Sequence, residues 1–169
     1  MKHLLDNPVW EALATEDARL NCGTEVIRYF AEDVSPFVGM RLWDDHDLAL
    51  LEKELPSDRN FSVMIADQVR IPVCFEVVFT TPLYQMVCTS FHPIFNSSLI
   101  MRSLVKEDVP AMLALTSLTK PGPFSQRTID FGHYIGIVEG NNLLAMAGER
   151  LHVKGYTEVS AVCTDPAHL

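Results

Sequence analysis

Apolar and polar positions alternate with different periods along this chain, and the period separates helices from strands. Val9, Trp10 and Leu13 follow Asn7-Pro8, a cap residue with proline at the first helical position, and predict a short helix. Glu25 to Phe30 alternates as a strand does, with Val26, Arg28 and Phe30 on one face and Ile27 and Tyr29 on the other. Asp33 to Met40 reads as loop plus a short extended piece. Asp44 and Asp45 precede a helical stripe of Leu48, Leu51 and Leu55 that Pro56 stops. Phe61 to Ala66, Cys74 to Thr80 and Leu83 to Thr89 read as strands, the last two separated by Thr81-Pro82.

The turn-rich stretch from His92 to Ser98 divides the chain near residue 95. It gives an N-terminal α/β subdomain over 1–95 and a second part over 96–169. In the second part, Leu99 to Val105 is strand-like. Glu107 to Leu118 is a helix burying Met112, Leu115 and Leu118 and tolerating Pro110 near its start. Lys120-Pro121-Gly122-Pro123 cannot be regular structure, and Ser125 to Phe131 is a short helix ended by Gly132. Tyr134 to Glu139, Leu143 to His152 and Thr157 to Thr164 form a three-stranded meander, turning at Gly140-Asn141-Asn142 and Lys154-Gly155. The residues alone give an α/β (α+β) fold with a mostly antiparallel sheet.

Bulk properties narrow the function. At 169 residues and 48% hydrophobic content the chain can bury a core of one domain, or of two small subdomains. Its net charge of −9 divides into −8 over residues 1–95 and −1 over the remainder, which argues against nucleic-acid binding. No eighteen-residue apolar run predicts a membrane span and MKHLLDNP lacks a signal-peptide core, so a cytoplasmic location is expected. Cys22, Cys74, Cys88 and Cys163 form no metal-type pair and read as buried, reduced thiols. The histidines have no ligand spacing, and Asp44-Asp45-His46-Asp47 reads as a solvated helix start, so no metal is expected.

The stretch GYTEVSAVCTDPAHL, residues 155–169, resembles the central strand of the GNAT superfamily of N-acetyltransferases. The wider block TKPGPFSQRTIDFGHYIGIVEGNNLLAMAGERLHVKGYTEVSAVCTDPAHL resembles one bacterial branch, with weaker likeness in DNPVWEAL and PLYQMVC. The resemblance implies a sheet flanked by helices, with acetyl-CoA as cosubstrate and a small-molecule or peptide amine as acceptor. It also implies a glycine-rich diphosphate loop directly after this strand. The given sequence stops at Leu169, so the core is expected to be incomplete there and activity of these residues alone to be impaired.

Acetylating an amine requires removing its proton, polarising a thioester carbonyl and holding the cofactor. Glu158 aligns with the strand glutamate that serves as general base in histone-type members. Alternation places it on the face of Ser160, Val162 and Thr164; the alternative is a strand-end carboxylate paired with Arg or Lys. By resemblance, the main chain at Val162, Cys163 and Thr164 meets the pantetheine arm and the oxyanion, and Cys163 serves as wall rather than nucleophile. Glu149 could bind or deprotonate an amine, or pair across strands with a basic residue. Phe124 and Arg127 line the acceptor entrance in the resembling family, or Phe124 simply packs on the core. A second class of function is a non-catalytic assembly module, dimerising through an open sheet edge at the C-terminal strand.

Overall fold

The structure, a computed structural model, describes residues 3–66, 68–93 and 100–169. Helix α1 (Pro8–Ala14) starts where Asn7-Pro8 requires. The Asn7 side chain does not cap it; its amide instead donates to the Met40 carbonyl at 2.6 Å. Strands β1 (Ile27–Tyr29) and β2 (Phe37–Met40) pair antiparallel, and β3 (Ser62–Val63) adds parallel to β2. Gly39 lies against the main chain of Trp10, where a side chain would collide with α1.

The helix expected after Asp44 is broken into α2 (Asp45–Leu48) and α3 (Leu51–Glu54), with Leu48 and Leu51 still buried together. Asp47 is not solvated as expected. It is buried, accepts the Leu42 N–H and approaches Arg41 and His46, while Asp44 caps its own N–H. Asp44, His46 and Asp47 therefore cluster through capping bonds, as a short helix start does.

The strands expected at 74–80 and 83–89 are not formed. These residues join no ladder, and Val77, Val78, Phe79, Leu83, Tyr84, Met86 and Val87 face solvent. Alternation supplies a strand-compatible surface but no partner row, and a ladder needs both. Three cysteines expected to be buried, Cys22, Cys74 and Cys88, are exposed; Cys163 is buried, and all four are free thiols. The expected boundary near residue 95 lies outside the described residues.

The second sheet runs β4 (Met101–Ser103), β5 (Tyr134–Glu139), β6 (Asn142–Val153), β7 (Tyr156–Thr164), antiparallel throughout. Gly140 and Gly155 take positive φ at its two tight turns, which glycine does without steric cost. Helix α4 (Val109–Thr119) follows a 3-10 turn in which Asp108 receives the Val105 N–H and a two-point contact from Arg102. The helix ends at Lys120 in the left-handed region, returning its N–H to Thr116. The segment expected as a helix over 125–131 is a 3-10 turn over Thr128–Phe131.

One face of this sheet is covered twice. Met112 and Leu115 of α4 pack on Tyr134, Met146, Ala161 and Cys163. Farther along, Leu151, Val153 and Phe131 join Val9, Leu13, Phe30 and Phe37 from the first half of the chain. Arg19 donates to the carbonyls of Asp130 and Phe131, and the Thr128 hydroxyl donates to the Val34 carbonyl. Met101, Ile135, Val159 and Val162 remain exposed, with the ladder pairs placing Ile135 and Val159 on the sheet's other face.

Candidate active site

Two irregularities in the β6–β7 ladder decide where the candidate residues point. Gly148 faces Ser160 and Met146 faces Cys163, so β7 carries one residue more than β6 in this interval. The extra residue lies at Ala161–Val162, and Ala161 has φ +51°, a bulge conformation uncommon for a residue with a side chain. Alternation alone predicts that Val162 and Thr164 share the face of Glu158 and Ser160. The bulge overturns that: Ala161 and Cys163 turn into the core while Val162 is 64% exposed. Among the described residues β7 is the last strand of the sheet, and one side of its main chain has no ladder partner there. A bulge on an edge strand leaves main-chain groups available beside the strand end, as the role expected for Val162, Cys163 and Thr164 requires.

Glu158 lies at the start of β7, and Arg150 holds it by two hydrogen bonds, Nε to Oε2 at 2.9 Å and Nη2 to Oε1 at 2.6 Å. The pair is partly buried, with Arg150 13% and Glu158 35% exposed, and the guanidinium lies 4.8 Å from the Phe37 ring centre. The paired-carboxylate alternative is therefore realised, and a base role would work from within the pair. Tyr134 lies on the next row. Its ring packs edge-on to Phe124 at 5.8 Å and presses on Gly148, where any Cβ would overlap it. Its hydroxyl is buried without a hydrogen-bond partner among the described residues, and burial pushes the phenol up to about 12. Phe124 packs on the core around α4, and half-exposed Arg127 bonds Asp130 and lies 3.5 Å from Asp33.

The second irregularity, between Glu149 and His152, gives β6 the extra residue. It puts both side chains on one face despite their odd spacing. Glu149 Oε2 lies 3.1 Å from His133 Nδ1 and 3.3 Å from His152 Nε2. His152 in turn meets the fully buried Asp17, which accepts its main-chain N–H at 2.9 Å and faces Nδ1 at 2.9 Å. Gly132 leaves room for the carboxylate, since a Cβ there would sit 2.5 Å from Glu149 Oε2. Burial pushes the Asp17 carboxyl up; the His133 main-chain N–H leads the contacts that hold Glu149 below its usual range. These groups line a shallow depression of about 480 Å³ with Glu16, Arg19 and Tyr156. Asp17, His133 and His152 escape a sequence reading because Asp17 and His152 are 135 positions apart and the bulge that aligns them leaves no compositional mark.

No protein-family profile matches the chain, and no curated protein does. Among solved structures it is similar to a crystal structure from Novosphingobium aromaticivorans DSM 12444, a provisionally described acetyltransferase from the GNAT family. The two share 31% sequence identity and superpose with a TM-score of 0.86, over 99% of this chain and 74% of that one. At that identity and coverage, the chain belongs to the GNAT family.

Proposed function

We propose that this chain carries the central part of an acetyl-CoA-dependent N-acetyltransferase. Family membership supports acyl transfer in general. The observation that carries the finer reading is the β7 bulge on an open sheet edge. Its main-chain groups at Val162, Cys163 and Thr164 fit the amide-rich pantetheine arm and a developing oxyanion. Acetyl-CoA, when bound, supplies the activated acyl group. Past β7, Asp165 already accepts the N–H groups of Ala167 and His168, so among the described residues no glycine-rich cradle serves a diphosphate.

Glu158, on the core face of β7, takes the proton of the incoming ammonium, directly or through one water. The freed nitrogen pair forms the C–N bond, the C–S bond breaks, and the nitrogen's second proton leaves with the thiolate. Arg150 keeps Glu158 oriented until the amine arrives. Glu149 is the second carboxylate able to attract an amine, across the sheet from Glu158. The test is a titration of the chain with acetyl-CoA followed by thermal shift and amine acetylation. Saturable stabilisation is expected; no binding sinks the reading.

A module that assembles through β7 is the competing class, favoured by the exposure of Val159 and Val162 on that strand. Strand pairing there to form a homodimer would cover the edge that the cofactor needs. A dimer whose dissociation acetyl-CoA does not affect would favour assembly over transfer.

A further inference from the structure

We infer that Arg150, Glu158 and Tyr134 form a subsite for a zwitterionic acceptor, an amine that also carries a carboxylate, such as a free α-amino acid. The inference rests on the acetyl-transfer reading and names its substrate class. Three observations meet here. Arg150 and Glu158 form a two-point ion pair that opens to solvent on the Glu158 side. The Tyr134 hydroxyl is buried with no partner among the described residues, in a place where polar groups are nearly always satisfied. The row Tyr134–Gly148–Ser160 joins this group to the β7 bulge.

A planar guanidinium matched to a carboxylate is the geometry that recognises a second carboxylate equally well. In the empty site the two side chains satisfy each other, which keeps either charge from being stranded. A zwitterion offers the same two charges in reverse. Its carboxylate takes the Arg150 fork and its ammonium takes Glu158, so the exchange replaces one ion pair by two. Neither a simple amine nor a simple acid can do this, because each would leave one protein charge unpaired. The raised pKa of Tyr134 keeps its proton in place as a donor to the incoming carboxylate. Phe37 packs against the Arg150 guanidinium and Phe124 against the Tyr134 ring, so apolar groups hold both side chains in place.

The test uses the 169-residue chain and three probes of one shape: phenylalanine, phenethylamine and 3-phenylpropionate, titrated by calorimetry. Phenylalanine is expected to bind at least about tenfold more tightly than either half-molecule. Arg150→Gln should erase the preference of phenylalanine over phenethylamine, because the amine then strands no guanidinium and the carboxylate has no fork to meet. Tyr134→Phe, which removes only the hydroxyl, should weaken the two carboxylate-bearing probes and leave phenethylamine as it was. Should Arg150→Gln fail to fold, Arg150→Lys keeps the charge without the fork and should lose the same preference. Equal binding of the three probes, no saturable binding, or variants that retain the preference overturn the subsite. A parallel acetyl-CoA titration separates the two readings: amino-acid binding without acetyl-CoA binding sinks the transferase and leaves the subsite. Acetylation of amines with no preference for a carboxylate does the reverse.

Discussion

Replacing Asp17 by alanine should cost about 2–4 kcal/mol, a large share of a domain's net stability. The reasoning starts from the register shift between Glu149 and His152. At that point the His152 main-chain N–H donates to Asp17 Oδ2 at 2.9 Å, while Oδ1 faces the ring at 2.9 Å. Alanine leaves that N–H without its partner, a penalty of about 1–3 kcal/mol, and removes a charge-assisted contact of similar size. Relief from burying a carboxylate subtracts from the total, since burial raises the Asp17 pKa. That raised pKa has its own sign: taken alone, the protonated group stabilises at low pH, and its contribution falls as pH rises through the folded pKa. Urea unfolding at neutral pH measures the effect as a midpoint shift at constant slope. Asp17→Asn, which retains one acceptor, should lose about half as much as alanine. Coupling between Asp17→Ala and His152→Ala should be about 1 kcal/mol or more. A loss for Asp17→Ala below about 0.5 kcal/mol would refute the account, because surface substitutions alone produce that.

Three further outcomes follow. Gly148→Ala forces a Cβ into the Tyr134 ring, should destabilise by about 1–3 kcal/mol in the same assay, and should be partly rescued by Tyr134→Leu. Arg102 holds the Asp108 carboxyl down to about 2, so its contribution is complete above the ordinary value of 3.8 and disappears as pH falls toward 2. Asp108→Asn should therefore flatten acid unfolding over that window, by a small amount because half-exposed Arg102 is screened. Glu158→Gln should lower amine acetylation at least about tenfold; an unchanged rate assigns the proton to another group.

The meander was legible because its turns carry Gly140 and Gly155 and its strands alternate cleanly. The helix after Asn7-Pro8 was legible from its cap, although the asparagine turned out to serve β2 instead. Parity was the limit. Counting by twos along β7 puts Val162 with Glu158, and one extra residue at Ala161 reverses it. Counting by twos along β6 separates Glu149 from His152, and a second extra residue unites them. A bulge depends on how two strands settle against each other, and neither strand's composition records it. The Glu158–Arg150 pair was named only as an alternative, since Arg150 reaches it from the neighbouring strand. The two absent strands fail for a related reason: period-two apolarity describes a surface, and residues 74–80 and 83–89 have no row to lie beside.

That bare stretch governs how the protein behaves in a tube. Val77, Val78, Phe79, Leu83, Tyr84, Met86 and Val87 offer adhesive, amyloid-like material at every encounter between molecules. Colloidal behaviour will then be set by these exposed residues. The acidic character of the first half, −8 over residues 1–95, is the main brake on clumping. High salt screens that brake, so the chain should keep best in dilute, low-salt buffer above its isoelectric point near 5.0.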